Sequence, residues 1–273
     1  MRIYDSQQPA IPHVSKEVPT LGVKPVAFDA PWDWLSAGWR DVWSAPSVSL
    51  TYGAAFAVIS AGLTIALFSR GLEALVLSMG GGFLLIGPIA AIGLYEVSRR
   101  LEDGQAVTLR DAMATGFRAP GQLTFFGAIL GFVYFVWLQL AFLLLMLFLG
   151  SRPVPPASEF VPTLLFTPHG LGLLVTGTLV GGVIALVVFA ISAVSVPLLM
   201  TRKMDAVSAM ATSVAAVRRN PKAMLLWGAL IAGFIALGIA TLFVGLVIVF
   251  PLVGHATWHA YRDLVKDPTE GYL

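Results

Sequence analysis

From Gln122 to Leu149 the chain carries no charged side chain, and Gln139 is the only amide in its interior. A hydrocarbon core of about 30 Å is crossed by about 20 apolar helical residues, because each adds about 1.5 Å. A run this long and this apolar cannot fold as one face of a water-soluble helix, so it reads as a helix in lipid. Ser47 to Phe68, Leu72 to Tyr95 and Leu171 to Met200 pass the same test. Met224 to Tyr261 is too long for one crossing, and dividing it near Thr241 to Val244 yields two. The expectation is an all-α, polytopic membrane protein with six transmembrane helices at about 47–68, 72–95, 122–149, 171–200, 224–241 and 244–261.

Composition agrees. Charged residues are 12% and hydrophobic ones 57%, when a soluble domain needs about 25% charged residues to solvate its surface. The solvent for most of the chain is therefore lipid. All seventeen Lys and Arg except Arg70 and Arg152 fall on one side of the six runs. Basic residues beside spanning helices stay in the cytoplasm, so both termini are expected there. A division into five spans would put Arg262 and Lys266 outside, which favours six. The net charge of +2 and pI near 9.0 point to anionic lipid headgroups rather than nucleic acid, because the cations sit in short loops next to apolar runs. With no cysteine, disulfides, thiolate metal sites and Cys nucleophiles are excluded.

Three regions are expected: a disordered cytoplasmic tail at 1–28, where Pro9, Pro12, Pro19 and Pro25 oppose helix; a membrane domain at 29–266; and a cytoplasmic tail at 267–273. The first 46 residues show no secretory signal, since they lack a continuous apolar segment. Trp32, Leu35, Trp39, Val42 and Trp43 recur at helical spacing ahead of the first span, as in an amphipathic helix lying among headgroups. A weak internal repeat accompanies it. Ala112-Met113-Ala114-Thr115 recurs as Ala209-Met210-Ala211-Thr212, each with an acid before it (Asp111, Asp205) and a proline after it (Pro120, Pro221). The second span after each such segment carries Pro88, Pro197 or Pro251. The layout is three helical hairpins, each preceded by a short cytoplasmic amphipathic helix.

Few residues carry chemistry. Gln139 is expected to hydrogen-bond between helices. Gly127 with Gly131 and Gly177 with Gly181 form GxxxG pairs suited to close helix approach. Ser192 and Ser195 lack a nucleophile motif, so intramembrane proteolysis is not expected. His255 and His259, four apart on one helix face, are hydrogen-bonding or structural residues, or else half of a metal or haem site. Asp263 is placed to orient one of them. No cofactor is required, and no catalytic residue stands out.

GPIAAIGLYEVSRRLE at Gly87 to Glu102 and PLVGHATWHAYR at Pro251 to Arg262 resemble an uncharacterised family of proteobacterial integral membrane proteins, a domain of unknown function. The resemblance covers roughly residues 27 to 266. It implies a bacterial inner-membrane location and six helices, and it marks Glu96, Arg99, Arg100, His255, His259 and Arg262 as motif positions. It implies no activity. Both stretches end a span on the cytoplasmic side, so Glu96, Arg99, Arg100 and Arg262 are expected to form a polar cluster beside the histidines. The leading expectation is a non-enzymatic scaffold or accessory subunit of a membrane complex. The alternatives are a small-solute or lipid transporter and a haem- or metal-handling protein.

Overall fold

The structure, a computed structural model, describes residues 20–72, 74–117, 121–150, 155 and 157–266. Among these, twelve helices follow in order: α1 (Ala30–Ser44), α2 (Pro46–Phe68), α3 (Ala74–Ala90), α4 (Ile92–Glu102), α5 (Leu109–Phe117), α6 (Gly121–Leu149), α7 (Ala157–Phe166), α8 (Pro168–Ser192), α9 (Ser195–Thr201), α10 (Ala206–Arg219), α11 (Pro221–Ala240) and α12 (Leu246–Leu264). Local chemistry sets many boundaries. Proline opens α2, α8 and α11, where its missing N–H is not needed and its φ suits a first turn. Thr167 caps α8 by accepting from the Gly170 N–H at 3.1 Å, and Asp205 caps α10 by accepting from the Ser208 N–H at 2.9 Å.

Among the described residues, four helical stretches are long and apolar enough to cross a membrane: Pro46–Phe68, Gly121–Leu149, Pro168–Thr201 and Pro221–Ala240. The other two expected spans take different forms. The run from Leu72 to Tyr95 is broken at Ala91 into α3 and α4, three residues after Pro88. The run from Val244 to Tyr261 becomes α12, most of whose residues are buried. That helix packs on α1, α2, α4 and α11, so its apolar surface meets protein where a lipid-facing span would meet acyl chains.

The Trp-rich segment is also more than a surface anchor. Trp34, Leu35, Gly38 and Val42 of α1 are buried against the bundle, while Trp32, Trp39 and Trp43 are exposed. A Cβ at Gly38 would meet the Ala256 backbone nitrogen at 2.7 Å, so the two backbones pass in direct contact. Gly53 of α2 similarly faces the Val247 carbonyl, the oxygen to which Pro251 has no N–H to donate. Close backbone contact thus falls at Gly38 and Gly53. At the GxxxG pairs it does not: added Cβ atoms at Gly131 and Gly177 would meet nothing within 4 Å.

The short helices α1, α5 and α10 precede α2, α6 and α11, and they pack on α12, α4 and the α8–α9 pair respectively. Each therefore leans on the last helix before it, with α1 taking the end of the chain.

Residues 20–27 correct the expected disordered tail as far as they are described. Val23 pairs with Val265 in an antiparallel bridge, and the Lys24 N–H donates to the Leu264 carbonyl at 2.8 Å. Asn220 accepts from the Val26 N–H at 2.8 Å and donates to the Lys24 carbonyl at 3.0 Å. Prolines deny the segment a helix, but extended backbone meets fixed partners here. Residues 1–19 and 267–273 of the expected tails lie outside the described residues.

Candidate functional site

The C-terminal half of α12 is held by hydrogen bonds from α1, α2 and α4. His255 is fully buried, with Ser98 Oγ of α4 at 2.8 Å from its Nδ1 and Ser49 Oγ of α2 at 3.0 Å from its Nε2. Ser98 Oγ donates to Asp41 Oδ2 of α1 at 2.6 Å. The same Oδ2 lies 2.8 Å from His259 Nε2. Five side chains from four helices thus form one chain of contacts, Ser49–His255–Ser98–Asp41–His259.

Proton counting orders the chain. Asp41, ionised, only accepts, so the single Ser98 proton goes to it. Ser98 must then accept from His255, which places a hydrogen on Nδ1. That assignment follows from the network, since hydrogens are inferred and not seen. Ser49 completes the set by donating to Nε2. Both His255 nitrogens are committed to serines, so a metal between His255 and His259 would have to displace Ser49 or Ser98. Among the described residues, no group of three or more His, Cys, Asp or Glu side chains is placed to hold a metal ion.

The motif acids and arginines divide into two groups. Glu96, with its side chain 10% exposed, accepts from Arg99 Nε at 2.9 Å, Arg99 Nη2 at 2.7 Å and Arg100 Nε at 2.9 Å. Burial raises the Glu96 pKa, and the Arg99 and Arg100 hydrogen bonds and charges more than offset it, leaving the carboxyl below its ordinary range. Arg100 also reaches Asp111 of α5 at 3.1 Å. Arg262 does not join this group. Its Nε donates to Glu102 at 2.9 Å, and Glu102 also accepts from Trp258 Nε1 at 3.0 Å. Asp263 likewise orients no histidine; it accepts from Trp34 Nε1 at 3.0 Å.

Gln139, expected between helices, lies on the exposed face of α6. The residues that sequence reasoning did not single out are Ser49, Ser98 and Asp41. Asp41 belonged to the polar side of an amphipathic pattern, and a lone serine in a helix leaves no periodic signal.

The long apolar helices and the polar end they share are the frame of a membrane protein. Residues 75–201 match DUF2189, described as a predicted integral membrane protein. The DUF2189 match runs from the start of α3 to the end of α9, so it includes Glu96, Ser98, Arg99 and Arg100 and leaves Asp41, Ser49, His255 and His259 outside. The network therefore ties the DUF2189 segment to the helices flanking it on both sides. No curated protein and no solved structure matches the chain. The chain is an integral membrane protein in contact with a lipid bilayer.

Proposed function

We propose that the chain is a non-enzymatic accessory or scaffold subunit, built into a membrane complex through the outer face of α6. Phe132, Phe135, Phe142 and Met146 are exposed on this helix, and with the exposed Gln139 they recur at alternating intervals of three and four residues. That is the seam of a helix that packs against another helix. Gln139 carries the reading. An amide facing hydrocarbon near the middle of a span has no water to bond, whereas a partner helix offering a polar side chain relieves that cost by about 1–2 kcal/mol. The interlocked polar end suits a subunit with a fixed shape, since the network joins α1, α2, α4 and α12 directly.

In the same proposal the chain crosses a bacterial inner membrane six times, with α3 and α12 completing the crossings and both termini in the cytoplasm. The support is the basic residues of α4, α5, α10 and the end of α12, which follow each return from the apolar core, together with the positive-inside rule. Anionic headgroups are then the neighbours of Arg110, Arg218 and Lys222.

The test is the native mass of the protein extracted in mild detergent, wild type against Gln139→Leu. The expected result is a wild-type species heavier than the 29.1 kDa monomer, lost in Gln139→Leu with no fall in thermal stability. A wild type that is monomeric in bilayer nanodiscs, or an assembly indifferent to Gln139→Leu, contradicts the proposal.

A further inference from the structure

Away from the polar end, α3, α6 and α8 line a half-open cavity of about 460 Å³, with α7 over one side. Its walls include Leu75, Trp137, Leu145, Leu164, Gly177 and Ile184. The gap has a local cause. Gly177 and Gly182 leave one stretch of α8 without side chains, and a Cβ added at either would meet nothing within 4 Å. Trp137 cannot swing in to fill the space, because its Nε1 donates to the Ser78 carbonyl at 2.8 Å and its ring lies against Gly181. With the indole N–H tied off, Ser78 and Thr178 are the hydroxyl-bearing residues among the lining, and the rest of the wall is largely carbon.

We propose that this cavity holds an acyl chain of a membrane phospholipid. Water is a poor occupant, because a buried water needs two to four polar partners, and an apolar cavity of about 150 Å³ stays dry and takes up benzene. A volume about three times larger accommodates roughly three such six-carbon groups, close to one long acyl chain. A partner helix, about 10 Å across, is too wide, and one inserted side chain is too small. The walls belong to α6 and α8, both long and apolar enough to span a membrane, and to the apolar α3 beside them. On the α8 side of the opening, Thr178 and Gly182, which line the cavity, and the neighbouring Leu179 are exposed. The medium at that opening is therefore bilayer hydrocarbon, whose bulk source is phospholipid.

Native mass spectrometry of the full chain after exhaustive detergent exchange tests the assignment. Added side chains at Gly177 and Gly182, both lining the cavity, meet no atom within 4 Å of their Cβ, and neither does one at Gly62 on α2, which is not among the lining residues. Gly177→Phe and Gly182→Phe are thus cavity-filling variants, and Gly62→Phe is the control. Wild type and Gly62→Phe are expected to retain about one phospholipid per chain. The two filling variants are expected to retain about tenfold less, the loss produced by about 1.4 kcal/mol, without a lower melting temperature. A phospholipid carrying a photoreactive acyl tail should label α6 and α8 peptides in bilayers, and Gly177→Phe should suppress that label. Equal retention in all four proteins, no retained lipid in wild type, or a retained fatty acid or isoprenoid in its place overturns the proposal.

Discussion

Ser98 Oγ lies 2.8 Å from His255 Nδ1 and 2.6 Å from Asp41 Oδ2, so one hydroxyl links the motif stretch of α4 to both the last helix and the first. His255→Phe keeps an aromatic ring of similar reach and removes both nitrogens, leaving the Ser98 and Ser49 hydroxyls with a lost partner each. A loss of about 2–4 kcal/mol is expected, from a buried Ser49 hydroxyl left unmet and a second bond lost at Ser98, which keeps Asp41. Ser49→Ala should cost about 1 kcal/mol, because it removes one neutral bond. Thermal unfolding in a single detergent compares them, and equal losses would show that Ser98 contributes nothing through His255.

Asp41 joins the histidine of one partner to the serine of another while remaining 14% exposed, with His259 at 27%. Asp41→Asn, His259→Gln and the double variant form a thermodynamic cycle. Groups in direct contact within one network couple by about 0.5–3 kcal/mol, and a value near the upper end is expected here because Asp41 serves two donors. A coupling within error of zero would mean that the 2.8 Å contact adds nothing to stability.

Glu96 makes stability pH-dependent in a defined direction. Its folded-state pKa is below its ordinary value of 4.5, so the folded protein releases this proton more readily than the unfolded chain. The contribution is complete above the ordinary value and is lost as pH falls through the lower folded one. Wild type should therefore lose melting temperature more steeply below about pH 4.5 than Glu96→Gln does. Parallel pH profiles for the two proteins would count against a stabilising Glu96–Arg99–Arg100 group.

The two kinds of glycine contact predict opposite outcomes. Gly53→Leu drives a side chain into the Val247 carbonyl, and α2 cannot retreat without breaking the Ser49–His255 contact. Folded yield should collapse. Gly131→Leu meets open space and should express as wild type does. The comparison is made by monodisperse yield after extraction. Normal yield of Gly53→Leu would show that α2 and α12 are not in backbone contact.

Sequence made the long apolar helices legible because length, hydropathy and the absence of charge act locally. It did not show that α12 is enclosed by other helices, since an apolar run looks alike whether its neighbours are acyl chains or side chains. The histidine pair was visible as a spacing, but its partners sit on α1, α2 and α4, between 157 and 218 residues away along the chain. Arg262 was matched to Glu96 through equivalent positions in two motifs, and its acid proved to be Glu102, about one and two-thirds turns further along α4. The side cavity was hidden for a related reason: GxxxG announces close packing, while the room left by Gly177 depends on Trp137 being held aside by Ser78.

The absence of cysteine allows the crossing pattern to be measured on a clean background. Single cysteines at Gly104, in the turn after α4, and at Leu242, in the turn between α11 and α12, both occupy exposed positions. Six crossings require a membrane-impermeant maleimide to label the Leu242 cysteine in intact cells and the Gly104 cysteine only after lysis. Labelling of both from the same side would contradict the arrangement and the subunit built on it.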